Sequence, residues 1–135
     1  MKNISIVFFI IGVLISNHSN ADHVLYCQEE LNTGFRNDEG SWRVANFNPQ
    51  RFTIKFKNDY STLEGLRENN IFSCSPTYGT IFLDSLTCRA RFAGETFLFN
   101  KKNKKFQYSS PSPYGGYDVN GTDSENFSVG TCEKF

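Results

Sequence analysis

In residues 51–57, RFTIKFK, the apolar Phe52, Ile54 and Phe56 alternate with Arg51, Thr53, Lys55 and Lys57. A period of two belongs to a strand with one buried face, because successive side chains leave a strand on opposite sides. Phe97 with Phe99, Phe106 with Tyr108, and Phe127 with Val129 repeat the spacing. Strand patterns also occur around residues 24–28, 42–47, 71–75, 80–84 and 87–92, and turn-forming residues separate them at 37–40, 58–59, 68–70 and 120–121. Only residues 61–68 have helical spacing, and Gly65 interrupts it. The reading is all-β: about eight short antiparallel strands in a small barrel-like domain or a strongly twisted sandwich. Of the 14 phenylalanines only Phe8 and Phe9 lie in the first 21 residues, and the other 12, with six tyrosines and one tryptophan, need a continuous interior.

The first 21 residues differ in composition from the rest. Lys2 precedes an almost unbroken apolar run over residues 4–15, and Ser19-Asn20-Ala21 supplies small residues at a cleavage site. The pattern is that of a secretory signal peptide cut after Ala21, which leaves a single domain at 22–135. The run is shorter than the ~20 residues a membrane-spanning helix needs, so no stable membrane insertion is expected after cleavage. Without Lys2 the charge is 13 basic against 14 acidic residues, so no global field draws the domain toward nucleic acid. Cys27, Cys74, Cys88 and Cys132 contain no Cys-x-x-Cys pair, and in an exported chain they read as two disulfides. Spacing leaves all three pairings open. We favour Cys74 with Cys88, across a short hairpin-like loop, and Cys27 with Cys132, which ties the two ends of the domain.

The domain is poor in groups that chemistry could activate. Its one histidine, His23, sits beside the expected new N-terminus, a poor place for a base that must be held still. One histidine and four oxidised cysteines leave only oxygen ligands for a metal, and Asp118, Asp123 and Glu125 read as a solvated turn, so no metal site and no cofactor are expected. Glu29, Glu30, Asp84 and Glu95 are the carboxylates from which a small envelope hydrolase would have to draw its pair. The neighbours Glu29 and Glu30 should point to opposite faces of a strand. Asn120-Gly-Thr and Asn126-Phe-Ser have the form of N-glycosylation acceptors, with meaning only in a eukaryotic secretory route.

Binding has more support than catalysis. The lysine-rich run at 100–105 fits a solvated hairpin tip between two aromatic strands. The loop that follows, SPSPYGGYD, carries tyrosines with no core of its own to enter. We place a partner contact on residues 109–118, with Ser112, Tyr114 and Tyr117, and with Lys104 from the neighbouring turn. Phe35 and Trp42, beside the turn at 37–40, are assigned to the core first and to an exposed site second. The expected activity is that of an exported, noncatalytic binding domain, periplasmic or secreted, whose partner is an unknown protein or envelope component.

YCQEE, NTGFRNDEGSW, FTIKF, the FLFN and KFQY pair, GGY and the terminal GTCEKF together resemble a loosely defined group of small exported proteins of Gram-negative bacteria with no assigned activity. That resemblance spans most of the domain and implies an exported β-domain; it supplies no active-site residues. SPSPYGGY alone is also similar to the serine- and glycine-rich loop of periplasmic inhibitors of c-type lysozyme, which are small disulfide-bonded β-barrels, although the serine-glycine-x-x-tyrosine order is missing here. An inhibitor-like role is what that second similarity implies.

Overall fold

The computed structural model describes residues 21–66, 70–79, 81–91, 94–111 and 124–135. Nine strands account for their secondary structure, and the described residues contain no helix: β1 (His23–Asp38), β2 (Ser41–Asn46), β3 (Arg51–Phe56), β4 (Thr62–Glu64), β5 (Phe72–Thr77), β6 (Phe82–Ala90), β7 (Thr96–Asn100), β8 (Lys105–Ser110) and β9 (Ser124–Lys134). All pairings are antiparallel. The order β1-β3-β4-β5-β6-β7-β8-β9 closes on itself through a β1–β9 pairing, giving an eight-stranded barrel with β2 attached to the far half of β1. Residues 1–20, which hold all but the last residue of the expected signal peptide, lie outside the described residues.

Alternation explains the interior. Ile54 and Phe56 on β3, Phe97 and Phe99 on β7, and Phe106 on β8 point inward and are buried, while their neighbours face out. The rings pack on one another: Phe97 lies 5.2 Å from Phe106 and Phe56 lies 5.1 Å from Phe99, centroid to centroid. Burying each of these side chains contributes roughly 1.5–3 kcal/mol. Leu25, Leu63, Phe72 and Leu86 complete the core.

Both favoured disulfides are present. Cys27–Cys132 lies across the β1–β9 seam, where the two residues are direct partners, and Cys74–Cys88 joins β5 to β6 in the same way. Two such bonds in a domain of this size are the mark of an oxidising, non-cytoplasmic compartment. The seam also demands a glycine. A Cβ on Gly130 would overlap the Gln28 carbonyl oxygen and crowd the Phe106 ring.

Three expectations about individual elements are corrected. The described part of the stretch at 61–68, residues 61–66, contains no helical turn: residues 62–64 form β4, because Leu63 is fully buried between its partners Phe56 and Phe72 and tertiary packing overrides a weak local pattern. The patterns near 80–84 and 87–92 belong to one strand, β6, and those at 24–28 are only the start of the 16-residue β1. Phe35 and Trp42 are not core residues; they remain 50% and 43% exposed.

Candidate functional site

The exposure of Phe35 and Trp42 originates in a bulge. Along the first half of β1, Leu25, Cys27 and Glu29 point into the barrel. Between Glu29 and Leu31 the register with β9 slips by one, from Glu29 opposite Gly130 to Leu31 opposite Val129. One residue is thereby left over, and a bulge of this kind re-aims every side chain that follows it. Glu30 and Leu31 are accordingly both exposed, and from there the even-numbered Asn32 and Gly34 turn inward while Leu31, Thr33 and Phe35 turn out.

Past the bulge, β1 is the middle strand of a three-stranded wing, with β2 on one side and the start of β9 on the other. Directly opposed residues share a face. Phe35 is opposite Val44, Asn37 opposite Trp42, Thr33 opposite both Asn46 and Phe127, and Leu31 opposite Val129. Leu31, Phe35, Trp42, Val44 and Phe127 therefore form one outer patch. Their exposures run from 43% to 77%, and together they leave on the order of 500 Å² of apolar side chain in solvent, the size of the largest apolar patch on a typical monomer, which is often functional. Among the residues in register on this face only Glu125, the β9 residue directly opposite Phe35, is ionisable. Arg36, Arg43 and Asp38 belong to the reverse face, where the Arg36 guanidinium sits 5.9 Å from the centre of the Phe47 ring.

The hairpin that carries the patch is tightly made. Glu39 and Gly40 both adopt positive φ, 51° and 86°, which matches the twist of the flanking strands. Gly40 donates its N–H to the Asn37 Oδ1 at 2.9 Å, and Asn37 is itself buried. On the same outer surface an open groove of about 380 Å³ adjoins the patch through Val129 and is edged by Thr77, Ser85, Lys105, Gln107 and Glu30, with Leu98 beneath.

The residues singled out from the sequence are scattered. Ser112, Tyr114 and Tyr117, with Asp118, Asp123 and the Asn120-Gly-Thr acceptor, lie outside the described residues. Lys104 is at the β7–β8 turn with φ 61°, where its ammonium donates to the Lys101 carbonyl and lies 5.8 Å from the Phe99 ring centre. Burial, and then the nearby Lys134 and Lys101 charges, hold its pKa below the usual lysine value. Its side chain is thus folded over the end of the core. His23 donates from Nε2 to the Asn58 carbonyl at 3.2 Å and stacks on Tyr60.

The carboxylates are separated in role. Glu29 points inward and accepts from the Asn32 amide at 2.9 Å and the Gln50 N–H at 2.8 Å, while Glu30 faces the outer groove, as alternation required. Glu95 is 1% exposed and accepts from Tyr108 Oη at 2.9 Å, Ser110 Oγ at 3.2 Å and Asn70 Nδ2 at 3.3 Å. Each buried carboxylate ties separate segments of the chain together through its hydrogen bonds, which is a structural use. Asp84 is an exposed residue of β6 whose carbonyl accepts from the Lys101 N–H. Among the described residues no cluster of three or more His, Cys, Asp or Glu side chains is placed to hold a metal ion.

No protein-family model matches the chain, and no curated protein and no solved structure matches it.

The wing was partly visible in the letters. Trp42 and Val44 alternate with Arg43 and were legible as a strand face, whereas Leu31, Thr33 and Phe35, which have the same period, were not read as one. Which of the two sides lacked a covering layer was not legible.

Proposed function

We propose that this chain is an exported, noncatalytic binding domain, one of the small exported β-domains it resembles, that holds a protein or envelope component on the outer face of its wing. The observation that carries the reading is the uncharged patch of Leu31, Phe35, Trp42, Val44 and Phe127 on a rigid, hairpin-pinned sheet. Keeping such a patch in water costs solubility, and a domain retains one when something is to cover it. The two disulfides agree with a role outside the cytoplasm, and the leader sequence specifies the periplasm or the medium as the destination. Tyr114 and Tyr117, outside the described residues, are proposed as a second contact.

The test is comparative capture from the envelope fraction of the source organism with the wild type, Trp42→Lys, Val44→Lys and the pair Tyr114→Ala, Tyr117→Ala. Each variant should melt within a few degrees of the wild type. The two wing variants should lose a component that the wild type retains. Undiminished capture by both wing variants would contradict the proposal.

A further inference from the structure

We infer that the outer face of the wing is the interface of a twofold homodimer, packed against the same face of a second copy of this chain. The inference rests on the preceding reading of that face as a binding surface and names its occupant. The area decides first. Burying about 500 Å² of apolar side chain on each copy gives on the order of 1,000 Å² before any rim is counted, and with Thr33 and Asn46 at the border the total reaches the lower range of specific interfaces.

Charge decides between possible occupants. Glu125, directly opposite Phe35 on β9, is the one ionisable residue in register on this face, so packing the face on itself brings a single carboxylate from each copy toward the interface. An anionic membrane would call for several basic residues bordering the apolar patch, whereas Arg36 and Arg43 point to the opposite side of the sheet and Lys105 is the one basic residue lining the adjoining groove. The geometry also selects face over edge. The outer edge of β2 is only six residues long, carries Arg43, and is followed by Pro49, all of which discourage strand-to-strand extension. Edge pairing would moreover lengthen the exposed patch without covering it. Face-to-face packing of two three-stranded sheets about 10 Å apart covers both patches at once. Val44, on the side of Phe35 away from Glu125, would lie at the centre of this interface.

Sedimentation velocity on the full chain, recovered from an oxidising compartment and run from micromolar to submillimolar concentration, tests this directly. The expected result is a reversible monomer–dimer equilibrium. Val44→Lys, at a position 77% exposed in the monomer, and Leu31→Lys, at one 67% exposed, each weaken it by about tenfold or more while melting like the wild type. Lys102→Glu, on the β7–β8 turn, leaves it unchanged. A wild type that stays monomeric throughout overturns the inference, and so does a dimer indifferent to both lysine variants. A monomer that captures a different component through the wing overturns the dimer while leaving the proposed function standing.

Discussion

Removing the Cys27–Cys132 bond should cost more stability than removing Cys74–Cys88, by an amount set by chain length. The first bond spans 105 residues and the second 14. Restricting the unfolded chain contributes about 4.7 kcal/mol for a loop of ~100 residues and about 3 kcal/mol for one of ~15, so the two differ by roughly 1.5–2 kcal/mol. The folded state does little to offset this difference. Both bonds join residues directly opposite each other on neighbouring strands, with Cα separations of 4.0 and 3.9 Å. Cys27, Cys132 and Cys88 are buried and Cys74 is half-buried, so truncation to alanine adds to the loss at the seam at least as much as at the β5–β6 pair. The assay is urea unfolding of Cys27→Ala/Cys132→Ala and Cys74→Ala/Cys88→Ala, each with its remaining bond intact. The seam variant should have the lower extrapolated stability and the steeper denaturant dependence, because its unfolded chain is freer to expand. An equal or greater loss from the β5–β6 variant would refute the reasoning and show that the seam is held by something other than this bond.

Phe97→Ala, at a fully buried position, should cost about 3–5 kcal/mol in the same assay, whereas Trp42→Ala should cost about 1 kcal/mol or less, since the tryptophan faces solvent. Gly130→Ala should lower stability by more than ~2 kcal/mol, because the new methyl meets the β1 backbone rather than a side chain that can move aside. Tyr108→Phe removes one of the donors to the buried Glu95 and should cost about 1–2 kcal/mol in urea unfolding. The exposed pair of Lys55 and Asp22, 2.9 Å apart, gives a pH signature of known sign. The hydrogen bond to Lys55 holds the Asp22 carboxyl below its ordinary value, so its contribution is present above pH 3.8 and fades as pH falls through the lowered pKa, while Lys55, raised by Asp22, keeps its contribution below pH 10.5 and loses it as pH climbs past the raised pKa. Asp22→Asn should therefore narrow the gap in urea midpoint to the wild type at both extremes of pH, with a small, salt-sensitive gap at neutrality.

The barrel was legible where one residue pattern determined one outcome. The alternation in residues 51–57 became β3, and the polar run at 100–105 became the β7–β8 turn, because a strand with a single buried face leaves no choice of register. It was not legible in β4, whose three residues are too few to display a period and are strand only because Phe56 and Phe72 flank Leu63. The length of β1 was hidden by the bulge at Glu30: apolar residues at 25, 27, 31 and 35 look continuous in phase but face inward before it and outward after it. Phe35 and Trp42 were misplaced for the same reason. Hydrophobicity announces that a side chain is suited to burial, and whether the covering layer comes from its own chain is a tertiary fact. The buried Glu29 and Glu95 were likewise unreadable, since apart from Asn32 beside Glu29 their partners Gln50, Asn70, Tyr108 and Ser110 lie 13 to 25 residues away.

The account stands on the claim that the outer face of the wing is covered in the protein's own setting. Site-specific photocrosslinking tests it most directly, with a photoreactive amino acid placed at Val44 and, as a control, at Ser73 on the exposed outside of β5, in cells of the source organism. Val44 should yield a discrete adduct, of twice the chain mass if the partner is a second copy, while Ser73 should yield none. No adduct from Val44, or adducts of the same kind from both positions, would contradict the claim.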